Sequence, residues 1–234
     1  AWESQFECKV QDAGGKLLPT HQLAKCALSQ EEIAKIEEAY PNAPRFAGYD
    51  VARRNHASAY HEYVKVGLAY YLVYRETFHD LSFSAQEKFL RGKMTRKHKR
   101  ITRLAIDSTG LGMQMAETMA KEFPGRIDEV NLESHRRHEI CMIFKDKVEN
   151  SKAYFPDDAK LFEDFSAPTL IVAANGNIRV RVPEFENAEG ETSHADEFMA
   201  SVLGVSAGEG AVSEGCCEPP EINDFEDGYR RGRR

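Results

Sequence analysis

The chain has 234 residues, of which 41% are hydrophobic and 29% charged, a balance typical of a globular protein with a substantial core. Its formal net charge of −7 argues against a protein that coats nucleic acid by charge alone, but it does not exclude a nuclease built on carboxylates. No apolar run approaches the roughly 20 residues of a membrane helix, so we expect no membrane association.

The five cysteines show no CxxC pair and no spacing to histidine that is typical of zinc sites. Two of them, Cys216 and Cys217, are adjacent in a glycine-rich stretch and are most simply free thiols. We therefore expect a reducing, cytoplasmic compartment.

The first segment, to about residue 44, is predicted to be mostly helical or irregular. Ser29 is followed three residues later by Glu32 and then by helical periodicity, which is the pattern of a capping box. Pro41 and Pro44 are expected to end this helix.

Three strands are expected next, beginning with RFAGYDVAR over residues 45–53. The stretches SAYHEYVKV and LAYYLVYRETF are rich in aromatic and β-branched residues and are separated by Gly67, so they predict a hairpin. After them, Ser84 and Glu87 form a second S-x-x-E pattern, which predicts the start of a helix.

From residue 101 onward, strand and helix patterns alternate. We expect strands at ITRLAID and IDEVNLE, helices at GMQMAETMAKEF, HRRHEICMIFKDKVEN and DDAKLFEDF, a hairpin of TLIVAA and NIRVRVPE around Asn175-Gly176-Asn177, and a last helix at SHADEFMASVLGV. An antiparallel meander followed by this alternation predicts an α/β fold with a mixed sheet covered by helices on both faces.

Three aspartates fall at the ends of predicted elements. Asp50 ends the first strand, Asp107 ends the strand ITRLAID, and Asp196 stands at the start of the last helix. In such a sheet the first and fourth strands can lie side by side, which would bring Asp50 and Asp107 to one edge. Carboxylates holding two Mg²⁺ or Mn²⁺ ions about 4 Å apart are suited to phosphodiester hydrolysis. The pattern therefore favours a site that cuts nucleic acid.

Each aspartate also has a structural interpretation that the sequence leaves open. Asp50 could begin a turn, and Asp107 could lie in the cap region of the next helix. Asp196 could answer Ser193 in an S-x-x-D capping pattern.

The stretch STGLG after Asp107 could instead be a phosphate-binding turn. A dinucleotide fingerprint needs a third glycine in register, and a phosphate loop needs a lysine followed by Ser or Thr; residues 108–117 contain neither. The two glycines are better explained by a tight connection between a strand and a helix.

Together these motifs resemble the C-terminal nuclease domain of large terminase subunits, the DNA-packaging proteins of tailed phages, and most closely those of Mu-like phages and prophages. The matching stretches are GYDVARRNHAS, AIDSTGLG and SHADEFMASVLG, of which AIDSTGLG is the most specific. The resemblance covers roughly residues 1–205. It departs after Asp50, where Arg54, Asn55 and His56 stand in place of the two glycines and the acidic residue common in the family.

This resemblance implies an RNase H-like fold and an endonuclease that cuts double-stranded DNA with two divalent metal ions, Mg²⁺ or Mn²⁺. It implies that Asp50, Asp107 and Asp196 are the catalytic metal ligands, with His194 as a further ligand or a supporting group. It also suggests DNA contacts from four basic side chains: Arg53, Arg54, His56 and His138.

By the same resemblance, residues 1–44 are expected to be a linker and helical segment that follows an ATPase domain of the same polypeptide. Residues 45–205 are expected to be the nuclease domain, and residues 206–234 a flexible acidic tail with a basic end. Expected partners are duplex DNA, the portal protein and the small terminase subunit, in the cytoplasm of the bacterial host. The motor is expected to be oligomeric and the isolated domain monomeric.

Three other functions stay open at this point. A non-catalytic RNase H-like module could dock the motor and merely contact DNA, and a junction resolvase would share the same chemistry. An ATPase of the actin-like superfamily would need a second glycine-rich phosphate loop, and we find none in the sequence.

Overall fold

The structure is a computed structural model that describes residues 15–52, 57–172, 176–186 and 192–210. Seven strands form its central sheet: β1 (Ala27–Leu28), β2 (Arg45–Asp50), β3 (Ser58–Val66), β4 (Ala69–Phe78), β5 (Ile101–Asp107), β6 (Ile127–Val130) and β7 (Ala153–Pro156). Their order across the sheet is β1-β7-β4-β3-β2-β5-β6. Strands β8 (Thr169–Val172) and β9 (Ile178–Arg181) form a separate hairpin, and β10 (Phe185–Glu186) pairs with β11 (Thr192–Ser193).

Helices cover both faces of this sheet. They are α1 (Thr20–Cys26), α2 (Gln30–Ala39), α3 (Phe83–Met94), α4 (Met113–Glu122), α5 (Ser134–Glu149), α6 (Ala159–Ser166) and α7 (Asp196–Gly210). Within the described ranges, no helix is long and apolar enough to cross a bilayer.

The topology confirms the predicted mixed sheet. Strands β2, β3 and β4 form an antiparallel meander, while β5 pairs with β2 in parallel and β6 continues in parallel on the far side of β5. The first and fourth predicted strands are β2 and β5, and they pair as expected. The predicted late hairpin is also present, as β8 and β9.

Alternation along the strands assigns each side chain to one of two cores. On β2, Phe46 belongs to the core beneath α5, α6 and α7, whereas Ala47 and Tyr49 belong to the core beneath α3 and α4. Because successive side chains in a strand point to opposite faces, Asp50 shares the α7 face with Phe46.

Of the two helix caps predicted from the sequence, one is at the expected serine and the other is not. The capping box of Ser29 and Glu32 is present at α2, with both reciprocal hydrogen bonds formed. The prediction for α3 was wrong by two residues, because Ser82, not Ser84, accepts the hydrogen bond of the Ala85 N–H and caps the helix. Both serines precede the same apolar pattern, and Ser82 has the extended backbone that a cap requires.

Both chain-end segments pack more closely than their composition indicates. Leu17, Leu18 and Leu23 are fully buried, and β1 extends the central sheet by pairing with β7. At the other end, α7 continues past residue 205 to Gly210, with Ser206 still buried. The rest of the predicted tail, 211–234, lies outside the described residues.

Candidate active site

Asp50 and Asp107 lie side by side at the carboxyl ends of two parallel strands. The register of β2 and β5 pairs Tyr49 with Ile106, so the next residue on each strand is one of the two aspartates. Asp107 follows Ile106 of the α3–α4 core and therefore points to the α7 face, as Asp50 does. Both carboxylates thus stand on the same face of the same sheet edge.

Helix α7 brings Asp196 to this edge because its backbone lies directly on β2. A Cβ added at Gly48 would overlap the carbonyl oxygen of Ala200 and the amide of Gly204. A Cβ at Gly204 would be 3.1 Å from the amide nitrogen of Gly48. Glycine is therefore required at position 48 for this approach of helix and strand, and the contact at position 204 is tight.

Asp196 is the first residue of α7, and the backbone around it restricts its position. Ala195 before it has a positive φ of 55°, an uncommon conformation that often occurs at functional sites. The Asp196 carboxylate accepts hydrogen bonds from the backbones of Ala57 and His194. Since the helix begins at Asp196 itself, this residue does not occupy the third position after a Ser193 cap, as a capping box would require.

The three carboxylates influence one another electrostatically. Burial raises the pKa of Asp50 well above its usual value, and the neighbouring charges of Asp196 and Asp107 raise it further. Burial, followed by the charge of Asp164, raises the pKa of Asp196 to about 7. Burial also raises the pKa of Asp107, although hydrogen bonds from Thr109 oppose this. Such mutual repulsion is relieved by a cation.

The glycine-rich turn after Asp107 supports this carboxylate. Asp107 Oδ1 accepts a hydrogen bond of 2.8 Å from the Thr109 amide, forming an Asx turn. A Cβ at Gly112 would overlap the Asp107 carbonyl oxygen, so the 3₁₀ turn at Gly110–Gly112 requires a glycine there. The turn therefore closes a tight strand-to-helix connection, in agreement with the interpretation favoured from the sequence.

Two further charged residues at this edge were missed by the sequence analysis. Asp164 of α6 is 5% exposed, and its Oδ2 accepts a hydrogen bond of 3.0 Å from the Glu197 amide at the start of α7. Arg137 of α5 is close enough to lower the pKa of both Asp50 and Asp107. Asp164 could have been found, because it lies on the apolar stripe of its helix between Leu161 and Phe165, where a carboxylate is unexpected.

A buried polar network anchors the start of α7 to the sheet. Tyr63 donates to Ser201 (2.7 Å), Ser201 lies 2.7 Å from His61 Nδ1, and His61 Nε2 lies 3.2 Å from Glu197. With His61 neutral, each hydroxyl and the Nε2–H donates to the next group. Burial lowers the His61 pKa, which agrees with the neutral form.

Arg75 completes this network from β4. It donates to Glu197 at 2.7 Å and to Asp158 at 2.6 Å. Burial opposes ionisation of Glu197, but His61 and Arg75 outweigh burial and lower its pKa to about 2. Glu197 is therefore an ionised structural anchor, directly beside Asp196, whose pKa is shifted in the opposite direction.

The remaining predicted residues lie in different places. The His194 ring is 3.7 Å from Glu184 Oε1, while its backbone contacts Asp196. His138 lines a surface cavity with Met142 and Glu209, whereas Arg137, one position earlier, faces the carboxylates. The other proposed DNA contacts, Arg53, Arg54 and His56, lie outside the described residues.

The donor set at this edge suits a hard divalent cation, since it consists of carboxylate oxygens that repel one another. As the side chains stand, no three His, Cys, Asp or Glu residues of the described ranges form a group that could hold a metal ion. Ligation by Asp50, Asp107 and Asp196 together would therefore require their side chains to rotate toward a common point.

No protein-family model matches the sequence, and no curated protein sequence matches it either. Comparison with solved structures does find relatives in fold. The large terminase nuclease of thermophilic phage G20c with bound magnesium matches with a TM-score of 0.58 and 16% identity, over 71% of this chain and 82% of that one. The chain has the fold of these nuclease domains.

Two further structures support this assignment of the fold. The nuclease domain of the Thermus phage P74-26 large terminase matches with a TM-score of 0.54 and 15% identity, over 71% of this chain and 80% of that one. The HK97 bacteriophage large terminase matches with a TM-score of 0.60 and 11% identity, over 83% of this chain. The chain spans only 44% of the HK97 protein. The predicted RNase H-like α/β fold is thereby confirmed.

Proposed function

We propose that this protein is a metal-dependent endonuclease of a phage DNA-packaging motor, which cuts concatemeric double-stranded DNA by phosphodiester hydrolysis. The observation that carries the proposal is the meeting of Asp50, Asp107 and Asp196 on one face of one sheet edge. Their raised pKa values support it, because unbalanced buried carboxylates are characteristic of functional sites. The shared fold with the G20c nuclease, whose structures carry magnesium, cobalt or zinc, gives independent support.

In this proposal each group at the edge has a distinct role. Asp50, Asp107 and Asp196 would hold two divalent cations, Mg²⁺ or Mn²⁺, and these cations would supply activation of a water and stabilisation of the leaving oxygen. Asp164 fixes the first turn of α7 through the Glu197 amide and thereby orients Asp196. Arg137 supplies a positive charge beside the carboxylates, which suits a phosphate group of the substrate.

The proposed partners are those that the sequence resemblance implies. They are duplex DNA, an ATPase domain of the same polypeptide, the portal protein and the small terminase subunit, acting in the host cytoplasm. The type of phage, Mu-like by the sequence resemblance, also remains part of the proposal. The fold shared with the three terminase structures supports the place of the protein in a packaging motor, whereas the phage type rests on the sequence motifs alone.

A second candidate is a non-catalytic module that contacts DNA within the motor. One observation favours it: the described side chains do not form a ready group of three metal ligands. A resolvase-type nuclease would use the same carboxylates, and only its substrate preference would distinguish it.

The decisive experiment is incubation of supercoiled plasmid with the protein and Mn²⁺ or Mg²⁺, with EDTA as the metal-free control. We expect nicking and linearisation that EDTA abolishes, and at least about a 100-fold loss of rate in Asp107→Ala, because a metal ligand is removed. Glu38→Ala, at an exposed carboxylate on α2 near the amino end of β2 and so at the opposite edge of the sheet, is the matched control and should cleave normally.

Normal cleavage by Asp107→Ala would refute the assigned site. Metal binding by calorimetry without any nicking would favour the non-catalytic module. Branched substrates tested against linear duplex separate the resolvase from the packaging nuclease.

A further inference from the structure

A second charged region lies at the opposite edge of the sheet, at the amino ends of β2 and β5. A cavity of about 670 Å³ opens there, between the loop that precedes β2 and the loop that precedes β5. Its lining includes five permanently cationic side chains and a single carboxylate, that of Glu37: the cations are Arg45, Lys97, Lys99, Arg100 and Arg126. In a protein with a net charge of −7, such a concentration of positive charge requires an explanation.

Internal ion pairs account for only part of this charge. Glu37 is shared between Arg45 at 2.7 Å and Lys99 at 2.8 Å. Arg45 also reaches Glu62 at 2.9 Å, and Arg45 is only 2% exposed. Glu37 and Glu62 are therefore already neutralised by Arg45 and Lys99 of the cavity wall and do not balance the other cations.

Among the residues that the structure describes, three cations at the cavity have no acidic partner. Within the described ranges, Lys97, Arg100 and Arg126 form no ion pair with any carboxylate. Arg126 donates to the carbonyl oxygens of Met94 and Ile101. Its Nε is buried and has no hydrogen-bond partner among the described residues. The buried Nε of Arg45 likewise has no partner in the described part of the chain.

The arrangement resembles the acidic edge with its signs reversed. Burial lowers the Arg126 pKa, and the nearby charge of Arg100 lowers it further. Two guanidinium groups that repel each other over an open cavity would gain from an anion between them. Guanidinium and ammonium groups together are matched to phosphate oxygens, because the guanidinium donates in a planar fork and the ammonium adds a compact charge.

We infer that this cavity binds clustered phosphate groups, held by Lys97, Arg100 and Arg126. Either the backbone of duplex DNA or a free oligophosphate can supply such groups. The inference does not depend on the proposed nuclease activity, because β2 separates the cavity from Asp50 by roughly 17 Å, at about 3.3 Å for each residue of the strand. None of the lining residues belongs to the carboxylate edge.

The test uses sodium tripolyphosphate as the probe, titrated by calorimetry in metal-free buffer so that no cleavage can occur. The variant combines Lys97→Glu with Arg100→Glu, both at exposed positions, and circular dichroism verifies that it is folded. The matched control combines Lys16→Glu with Lys25→Glu, which changes the net charge equally at two exposed positions that do not line the cavity. We expect saturable binding that is at least about tenfold weaker in the variant and less than about twofold weaker in the control.

A second arm identifies the source of the phosphates. A fluorescent 16-base-pair duplex is titrated at several salt concentrations in the same metal-free buffer. If DNA is the source, the slope of log K against log salt falls in magnitude by about 2 in the variant, since two phosphate contacts are lost. An unchanged slope together with lost tripolyphosphate binding identifies a free oligophosphate. Equal losses in variant and control, or no saturable binding of either probe by the wild-type protein, would overturn the inference.

Discussion

Acids that are buried or partly buried lie near both ends of strands β2 and β5, in opposite electrostatic situations. At the carboxyl ends, Asp50 and Asp196 have raised pKa values, because burial and like charges both act against ionisation. At the amino ends, burial also opposes ionisation of Glu37, but Lys99 and Arg45 outweigh it and lower the pKa. Burial is common to both ends, so the sign of the neighbouring charge separates a structural ion pair from an unbalanced site.

The largest expected loss of stability comes from breaking the balanced end. Glu62 is 1% exposed and accepts from Arg45 at 2.9 Å and from Arg96 at 2.6 Å. Glu62→Gln leaves the buried Arg45 guanidinium with one carboxylate, so we expect a loss of about 3 kcal/mol in the free energy of unfolding. Urea denaturation measures this loss, and Glu38→Gln on the exposed face of α2 should change stability by less than about 0.5 kcal/mol. Equal stabilities of the two variants would contradict the comparison.

The unbalanced end should respond in the opposite direction. The folded-state pKa of Asp196, about 7, lies above its ordinary value of 3.8, so its contribution to stability is full below about pH 4 and is lost as the pH rises to about 7. In EDTA, Asp196→Asn should therefore gain stability relative to wild type across this range, by roughly 2 to 4 kcal/mol. Thermal denaturation at several pH values measures the difference, with Asp157→Asn as control. A difference that does not vary with pH would show that Asp196 is not destabilised by its neighbours.

A smaller effect is expected at the end of α7, where a partly exposed acid is balanced by cations. Glu209 accepts from Tyr70 at 2.6 Å and pairs with Lys147 at 2.8 Å and Lys65 at 3.1 Å. Despite the opposing effect of burial, these partners lower its pKa from 4.5 to about 2. Its stabilisation is thus present above about pH 4.5 and is lost as the pH falls toward 2.

Glu209→Gln should therefore destabilise the protein by about 1 kcal/mol at neutral pH, a value reduced by solvent screening. The difference from wild type should shrink as the pH falls toward 2, which chemical denaturation at pH 7 and pH 3 can follow. Glu117→Gln removes only a surface pair with Lys121 and is the matched control. A loss at pH 3 as large as that at pH 7 would mean that the charge of Glu209 is not what stabilises the helix end.

Much of the carboxylate edge could be predicted because it depends on local rules. Asp50 and Asp107 each end an apolar strand, and the alternation of side chains along a strand places both on one face. The meander followed by alternating strands and helices then brings the two strands together. These inferences require no knowledge of distant contacts.

The rest depends on long-range packing that a sequence pattern does not reveal. Asp164 contacts the α7 start across 33 positions of the chain, and β1 is a two-residue strand with no detectable periodicity. Arg137 and His138 differ by one position, which on a helix is a rotation of about 100°, and only the packing of α5 decides which faces the carboxylates. Lys97, Lys99 and Arg100 are close together in the sequence, but the cavity forms only when Arg45 and Arg126 join them from other elements.

The contact between Gly48 and Gly204 determines how substitutions at these two positions would affect the carboxylate edge. Any side chain at position 48 would overlap the backbone of α7, so a larger residue there can only increase the distance between α7 and the sheet. A larger residue at position 204 makes a tight contact with Gly48 and acts in the same direction to a smaller extent. Asp196 lies roughly two helical turns from Gly204 on the same rigid segment and would be lifted with it. The position of the Asp196 carboxylate therefore depends partly on two glycines far from it, one on β2 and one further along α7. Any substitution of either glycine would move Asp196 in the same direction, away from the sheet.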